Sequence, residues 1–175
     1  MATETEFKFT VNKDLLPSLS DALFRPINIK QFYLSVGDSY SPEVRVRIED
    51  GVNYHHAEMT IKSAVADYVR KEVSIPIEPE KVEDLLEMKV GHIIEKTRYL
   101  FTMTGAHSPQ LAGKTLWEID IYKGANEGLI IAEFEIPRNF ETAYSFTPPA
   151  WVLEDVTRMP KYKNSHLALT PFVRW

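Results

Sequence analysis

Charged residues at alternate positions run through most of the strand-like segments of this chain. The first segment carries Glu4, Glu6 and Lys8, and side chains two residues apart on a strand point to the same face. Same-sign doublets follow at the same spacing: Arg45 with Arg47, Glu118 with Asp120, and Glu133 with Glu135. Adjacent like charges repel unless an ion bridges them. The doublets therefore indicate a polyanion at the arginines and a divalent cation at the carboxylates.

The charged positions form one large set when the segments are sorted by residue parity. The acids are Glu4, Glu6, Glu72, Glu118, Asp120, Glu133 and Glu135, and the bases are Lys8, Arg45, Arg47, Lys62, Arg70, Lys96 and Arg98. For a single strand, the ordinary interpretation is a half-buried sheet with a solvated polar face. The whole set favours phosphoryl transfer, because Arg and Lys bind phosphate oxygens while Mg²⁺ or Mn²⁺ binds carboxylates and activates water.

Eight strand-like segments must position these residues: 3–11, 29–36, 43–49, 56–63, 69–77, 93–103, 115–122 and 129–136. Apolar stripes predict helices over 13–23 and 79–89, the second with Gly91 as its stop, and shorter helices over 139–145 and 164–170. Asp50-Gly51 indicates a hairpin. Many closely spaced strands with few helices predict a mainly-β α+β fold, built on an antiparallel sheet or barrel.

Composition narrows the function classes. The 175 residues carry a net charge of −5 at pH 7, which disfavours binding to a nucleic-acid duplex or a membrane surface. No apolar run approaches the roughly 18 residues of a membrane span, and the first residues do not resemble a signal peptide. Because the chain has no cysteine, disulfides, thiol nucleophiles and Cys-ligated zinc are excluded. We expect one domain spanning 1–175, located in the cytoplasm.

The ordered charged motifs resemble those of the CYTH superfamily, also called triphosphate tunnel metalloenzymes, whose namesakes are class IV adenylate cyclase and thiamine triphosphatase. The matching motifs are Glu4-x-Glu6-x-Lys8, Arg45-x-Arg47, Thr60-x-Lys62, Arg70-x-Glu72, Lys96-x-Arg98, Glu118-x-Asp120 and Glu133-x-Glu135. Trp151, Asp155-Val156-Thr157 and Tyr162-x-Asn164 extend the resemblance towards the end of the chain. Ser74 departs from the pattern, since many members carry a second acid there, and Val152-Leu153 replaces a turn that usually contains Gly.

The resemblance implies a closed eight-stranded antiparallel tunnel barrel with a polar lumen, a few outer helices and Mg²⁺ or Mn²⁺ as cofactor. It implies that the metal ligands are Glu4, Glu6, Glu118, Asp120, Glu133 and Glu135. It also implies that the triphosphate is bound by Lys8, Arg45, Arg47, Lys62, Arg70, Lys96 and Arg98. Lys8, Tyr33 and Glu6 are the predicted catalytic residues. Tyr33 shares a face with Gln31, so it could also reach the lumen and pair with Lys8.

The predicted function is metal-dependent hydrolysis of a small triphosphate compound by a monomer or homodimer. Inorganic tripolyphosphate, cleaved to pyrophosphate and phosphate, is preferred because no apolar or aromatic patch is dedicated to an adenine or thiazole ring. Thiamine triphosphatase and class IV adenylate cyclase remain alternatives, as does a non-catalytic polyphosphate- or nucleotide-binding module. Gly113-Lys114-Thr115 resembles the end of a P-loop, but Ser108 occupies the position of its first glycine and a strand-like segment follows.

Overall fold

The computed structural model describes residues 5–38, 41–51, 54–66, 69–102, 116–136 and 148–175. Its strands are β1 Thr5–Val11, β2 Ile27–Val36, β3 Glu43–Gly51, β4 Tyr54–Ala66, β5 Val69–Pro76, β6 Val90–Thr102, β7 Leu116–Lys123, β8 Ile130–Ile136 and β9 Val152–Asp155. Its α-helices are α1 Pro79–Glu87 and α2 Asn164–Leu169. The predicted mainly-β α+β class is confirmed, and each of the eight predicted segments forms a strand.

The strands form one sheet in the order β5-β4-β3-β2-β6-β7-β8-β1-β9. The prediction of a closed eight-stranded barrel is wrong, because the sheet has nine strands and, in the described part of the chain, ends at β5 and β9. The ninth strand, β9, pairs with β1 and so takes the edge of β1 that does not face β8, and in the described residues the end strands β5 and β9 are not paired with each other. The short β9 follows Pro148-Pro149 and lacks a clear alternation, so the sequence pattern did not indicate it.

The chain divides into two compact units. The first comprises Met1–Pro26, Arg98–Ile121 and Ile130–Met159, and the second comprises Ile27–Thr97, Tyr122–Leu129 and Pro160–Trp175. The expectation of a single domain over 1–175 stays a prediction. None of the described helices is long and apolar enough to cross a membrane.

The first unit is built on an aromatic core that occupies one face of β1, β7 and β8. Phe9, Trp117 and Phe134 are buried, and the ring centroids of Trp117 and Phe134 lie 4.7 Å apart. Trp151 packs edge-on against Trp117 at 4.8 Å, so Trp151 contributes to packing. Because side chains alternate along β1, burying Phe9 turns Lys8 to the opposite face.

The second unit is an antiparallel arrangement of β2, β3, β4 and β5 with α2 packed near β2. Ile29, Phe32 and Val46 are buried among the strands, and Leu167 on α2 is also fully buried. β3 and β4 pair up to Gly51 and Tyr54, so the predicted hairpin after Asp50 is confirmed. The predicted helix over 164–170 is confirmed as α2.

Two helix predictions require correction. Residues 13–23 do not form a helix but two short 3₁₀ turns, Lys13–Leu15 and Leu19–Asp21, because Pro17 forces the preceding Leu16 out of helical backbone geometry. Gly91 does not end α1, which stops at Glu87, but lies within β6. The predicted helix over 139–145 and the P-loop-like Gly113-Lys114-Thr115 lie outside the described residues.

Candidate active site

The first unit holds a group of charged side chains that we call the carboxylate cluster. Its members are Glu6, Lys8, Arg98, Glu118, Asp120 and Glu133. The register of the strands explains the grouping, since Lys8 on β1 lies directly opposite Glu133 on β8, and Glu133 lies opposite Glu118 on β7. Directly opposed residues share a face of the sheet, so three strands present these side chains together.

Arg98 on β6 is the centre of the carboxylate cluster. Its Nε and Nη2 donate to Oδ1 and Oδ2 of Asp120, each at 2.7 Å, which is a bidentate arrangement. Nη2 also donates to Glu133 Oε2 at 3.1 Å, and Nη1 donates to Glu118. Asp120 is completely buried and Arg98 is 8% exposed. A buried guanidinium with this many charge-assisted bonds fixes the positions of three carboxylates at once.

Lys8 links a fourth carboxylate, Glu6, to Glu133. Its Nζ forms ion pairs with Glu6 and Glu133, so Glu133 contacts both Lys8 and Arg98. Glu133 is buried, whereas Glu6 is exposed. The two cations and four carboxylates therefore form one connected network, with Glu6 at its solvent side.

Both cations of the cluster are held in their charged forms. Burial on its own lowers the pKa of Lys8, but the charges of Glu133 and Glu6 and their hydrogen bonds outweigh it and raise that pKa above its usual value. Burial likewise opposes the charge on Arg98, and Asp120, followed by Glu133 and Glu118, raises the pKa of Arg98. Lys8 is therefore an ammonium at neutral pH and cannot act there as a general base.

The second unit carries a band of polar and basic side chains across β2, β3, β4 and β5. Tyr33, Arg45, Thr60 and Ser74 lie directly opposite one another in successive strands, and we call them the polar row. Arg45 Nη2 and Ser74 Oγ each lie 3.3 Å from Thr60 Oγ1. Within the described residues, the buried Nε of Arg45 has no hydrogen-bond partner.

The neighbouring bases of the second unit have acidic or aromatic partners. Arg47 forms an ion pair with Glu49, and Lys62 Nζ lies 3.0 Å from Glu72. The buried Lys96 places its Nζ 5.5 Å from the ring centroid of Tyr122. The register of β3, β4 and β5 places Arg47 and Lys62 on the face of the sheet that parity predicted.

Tyr33 is buried and accepts a hydrogen bond from Gln31 Nε2 at 3.0 Å. The two residues share a face of β2, as the sequence predicted. The pairing of Tyr33 with Lys8 stays a prediction, because each belongs to a different unit.

The side chains of three predicted site residues are not among those that the structure describes. Glu4 lies outside the described residues. Glu135 and Arg70 belong to β8 and β5, where their backbones pair with Glu6 and Ala64, but their side chains are not among those described. Their roles stay predictions.

Two partners of site residues were missed by the sequence analysis. Glu49 was not chosen, although its position two residues after Arg47 on one strand could have identified it as a partner. Thr157 was noted only within the Asp155-Val156-Thr157 motif, which does not predict that its hydroxyl contacts the backbone of Lys8. Only the folded chain reveals that second contact.

The sequence matches the CYTH domain family over residues 2–142. The chain belongs to the CYTH family. This confirms the resemblance on which the site assignments were based. The match includes all members of the carboxylate cluster and the polar row, and it ends before β9 and α2.

Two curated relatives match almost the whole chain. A protein of Acetivibrio thermocellus named inorganic triphosphatase is 34% identical over 173 residues, covering 98% of this chain and 97% of the relative. A protein of Nitrosomonas europaea with the same name is 33% identical over 168 residues, covering 96% and 98%. The likeness thus extends beyond the CYTH match to the C-terminal elements.

Two solved structures are also similar to this chain. The crystal structure of an inorganic triphosphatase matches 97% of this chain and 97% of its own, with 31% identity and a TM-score of 0.68. A protein from Pyrococcus horikoshii OT3 covers 76% of this chain and 77% of its own, with 18% identity and a TM-score of 0.54. The second likeness concerns the fold alone.

Proposed function

We propose that this CYTH protein is an inorganic triphosphatase that hydrolyses tripolyphosphate to pyrophosphate and phosphate. The observation that carries the proposal is the carboxylate cluster, in which two cations hold four acids together on one face of three strands. The choice of substrate is supported by the two nearly full-length relatives, both named inorganic triphosphatase.

The composition of the carboxylate cluster fits a divalent cation. Four carboxylates face two cations, which leaves an excess of two negative charges, and carboxylate oxygens are the ligands that Mg²⁺ and Mn²⁺ prefer. Glu6 and Glu133 already converge on one positive group, the ammonium of Lys8. The fit is therefore one of charge and ligand type and not of geometry, because these carboxylates are paired with Lys8 and Arg98 and, within the described residues, no three acidic or histidine side chains are arranged to hold a metal ion.

We assign metal binding to the acids that the family pattern selects, which are Glu4, Glu6, Glu118, Asp120, Glu133 and Glu135. Such a cation, when bound, supplies neutralisation of phosphate charge and a more acidic water molecule. Arg98 has the role of fixing the orientation of Asp120 and Glu133, because its guanidinium bonds to both.

The bases provide the phosphate contacts in this proposal. They are Lys8, Arg45, Arg47, Lys62, Arg70, Lys96 and Arg98. The buried Nε of Arg45 supports the assignment, since a phosphate oxygen would satisfy this donor. Lys8 remains charged and therefore stabilises negative charge on a phosphate oxygen rather than removing a proton from water.

The reaction balances as a simple hydrolysis. A water oxygen bonds to a terminal phosphorus, the bond from that phosphorus to the bridging oxygen breaks, and pyrophosphate leaves with the electron pair. The proton lost by water goes to a carboxylate or to solvent. Tyr33 and Glu6, which we also propose as catalytic, act by orienting the substrate and holding the metal.

Release of phosphate from tripolyphosphate, ATP and thiamine triphosphate, each with Mg²⁺ or Mn²⁺, tests the proposal. We expect the highest kcat/KM with tripolyphosphate and no release with excess chelator. Preferred hydrolysis of thiamine triphosphate, or formation of cyclic AMP from ATP, would replace the substrate assignment. Tight binding of all three compounds without turnover would show a binding protein instead of an enzyme.

Three further expectations belong to the same proposal. We propose a cytoplasmic protein, an assignment that the absence of cysteine supports. We also propose one domain over 1–175 and a monomer or homodimer. Light scattering coupled to size exclusion measures the oligomeric state, and a trimer or larger assembly would contradict it.

A further inference from the structure

We propose that Thr157 is a positioning residue that holds the backbone of Lys8 and thereby aims the Lys8 ammonium within the carboxylate cluster. The inference rests on the proposed function, in which Lys8 is catalytic. Thr157 lies beyond residues 2–142, which match the CYTH domain family, in the Asp155-Val156-Thr157 segment that extends the resemblance in the sequence.

The contacts of Thr157 satisfy both backbone groups of Lys8. The Lys8 N–H donates to Thr157 Oγ1 at 3.0 Å, and the same hydroxyl lies 3.4 Å from the Lys8 carbonyl oxygen, to which it donates. The N–H of Val156 also donates to the Lys8 carbonyl at 2.9 Å. Lys8 is therefore held by two consecutive residues of the segment that follows β9.

The turn after β9 explains why a side chain is needed at this point. β9 ends at Asp155, which pairs with Phe9. The regular pairing of β1 with β9 therefore does not include Lys8, the neighbour of Phe9 in the sequence. The Thr157 N–H donates to Asp155 Oδ1 at 2.9 Å, a side-chain-stabilised turn that redirects the chain. The Thr157 hydroxyl then takes the place of the missing strand backbone.

The turn itself is anchored in the first unit. Val156 is fully buried, which fixes the segment between Asp155 and Thr157. A fixed turn holds the Lys8 backbone on the side of β1 opposite β8, while Glu133 on β8 receives the ammonium. The direction of the Lys8 side chain thus depends on contacts at both edges of β1.

A pair of substitutions at Thr157 separates the hydroxyl from the shape of the side chain. Thr157→Val keeps the shape and removes both hydroxyl bonds, whereas Thr157→Ser keeps the hydroxyl. Thr10→Val is the matched control, because the Thr10 hydroxyl also joins β1 to β9, accepting from the Glu154 N–H at 3.2 Å. It leaves the contacts of Lys8 intact.

Three measurements follow from these variants: hydrogen exchange of the Lys8 amide, the NMR signal of the Lys8 ammonium, and steady-state hydrolysis of tripolyphosphate. We expect Thr157→Val to accelerate exchange at Lys8, to shift the ammonium signal and to lower kcat by about tenfold to a hundredfold, since misplacing a reacting group by about 1 Å has such effects. KM should change less. Thr157→Ser should restore all three, and Thr10→Val should leave kcat and the ammonium signal unchanged.

The proposal fails if Thr157→Val accelerates exchange but leaves the ammonium signal and kcat unchanged, or if Thr10→Val lowers kcat equally. The exchange and ammonium measurements need no substrate. If the unmodified protein does not hydrolyse tripolyphosphate, the proposed function is refuted, and the two NMR measurements still decide whether Thr157 positions Lys8.

Discussion

At the scale of single residues, substitutions in the carboxylate cluster should differ widely in their effect on the free energy of unfolding. Asp120 is completely buried and its two oxygens are both bonded to Arg98, whereas Glu6 reaches solvent. Removing one member of a buried ion pair leaves the other charged and without compensation. Substitution of the buried members should therefore reduce stability directly, while substitution of Glu6 should reduce activity and affect stability only through the proposed metal.

Arg98→Met should reduce the free energy of unfolding by about 3–5 kcal/mol, because it leaves the Asp120 carboxylate buried without its cation. Urea unfolding measures this change. Lys30→Met is the control, since Lys30 pairs with Glu95 at an exposed position and should cost at most about 1 kcal/mol. Equal effects of the two substitutions would show that the Arg98 network does not stabilise the fold.

Glu6→Gln should abolish metal-dependent turnover while largely sparing the binding of tripolyphosphate. The amide keeps the shape of the side chain but loses the charge that a hard cation requires. Phosphate release and calorimetric binding measure the two effects. Glu154→Gln, an exposed acid on β9, is the control, and an unchanged rate in Glu6→Gln would refute the ligand assignment.

Arg47→Ala should raise KM for tripolyphosphate by about tenfold, the loss expected for one charge-assisted phosphate contact. Steady-state kinetics measures the change. Arg174→Ala, an exposed arginine of the same unit, should have no effect. If neither kcat nor KM changes in Arg47→Ala, the assignment of Arg47 to phosphate binding is refuted.

At the scale of elements, alternation of charged and apolar residues was sufficient to predict β1 through β8. The same pattern predicted which charges share a face, because register preserves parity across antiparallel strands. It could not predict β9 or the turn to Thr157, since Val152–Asp155 is short and its role depends on pairing with β1, far away in sequence. The helix over 13–23 failed because an apolar stripe does not reveal that Pro17 interrupts it.

Gly91 shows how closely the last helix packs on β6. Its φ is +70°, and a Cβ at this position would collide with the backbone carbonyl of Ala168 on α2. Gly91→Ala should therefore destabilise the protein more than the roughly 1–2 kcal/mol of left-handed backbone strain alone. Gly128→Ala, with φ +94° and its nearest contact at 3.5 Å, isolates that strain. Thermal unfolding compares the two, and equal losses would contradict close packing of α2.

At the scale of the whole molecule, the excess negative charge of the carboxylate cluster would couple binding of the proposed metal to folding. A cation that binds the folded chain and not the unfolded chain should stabilise it by about 2.7 kcal/mol at a hundred times its Kd. We expect Mg²⁺ or Mn²⁺ to raise the unfolding midpoint, and NaCl at equal ionic strength to have a smaller effect. Glu6→Gln should remove most of the increase, and an equal increase in that variant would place the metal elsewhere.

The position of the Lys8 ammonium between Glu6 and Glu133 affects how the newly synthesised chain folds. If the carboxylates had no cationic partner, they would repel one another, and the site would fold only once a metal ion was bound, as in domains that are unfolded without their metal. Here a lysine of the chain acts as an internal counter-ion from the moment β1 pairs with β8. If the chain binds a divalent cation as proposed, newly synthesised chains should therefore reach the folded state while that cation is scarce and bind it afterwards.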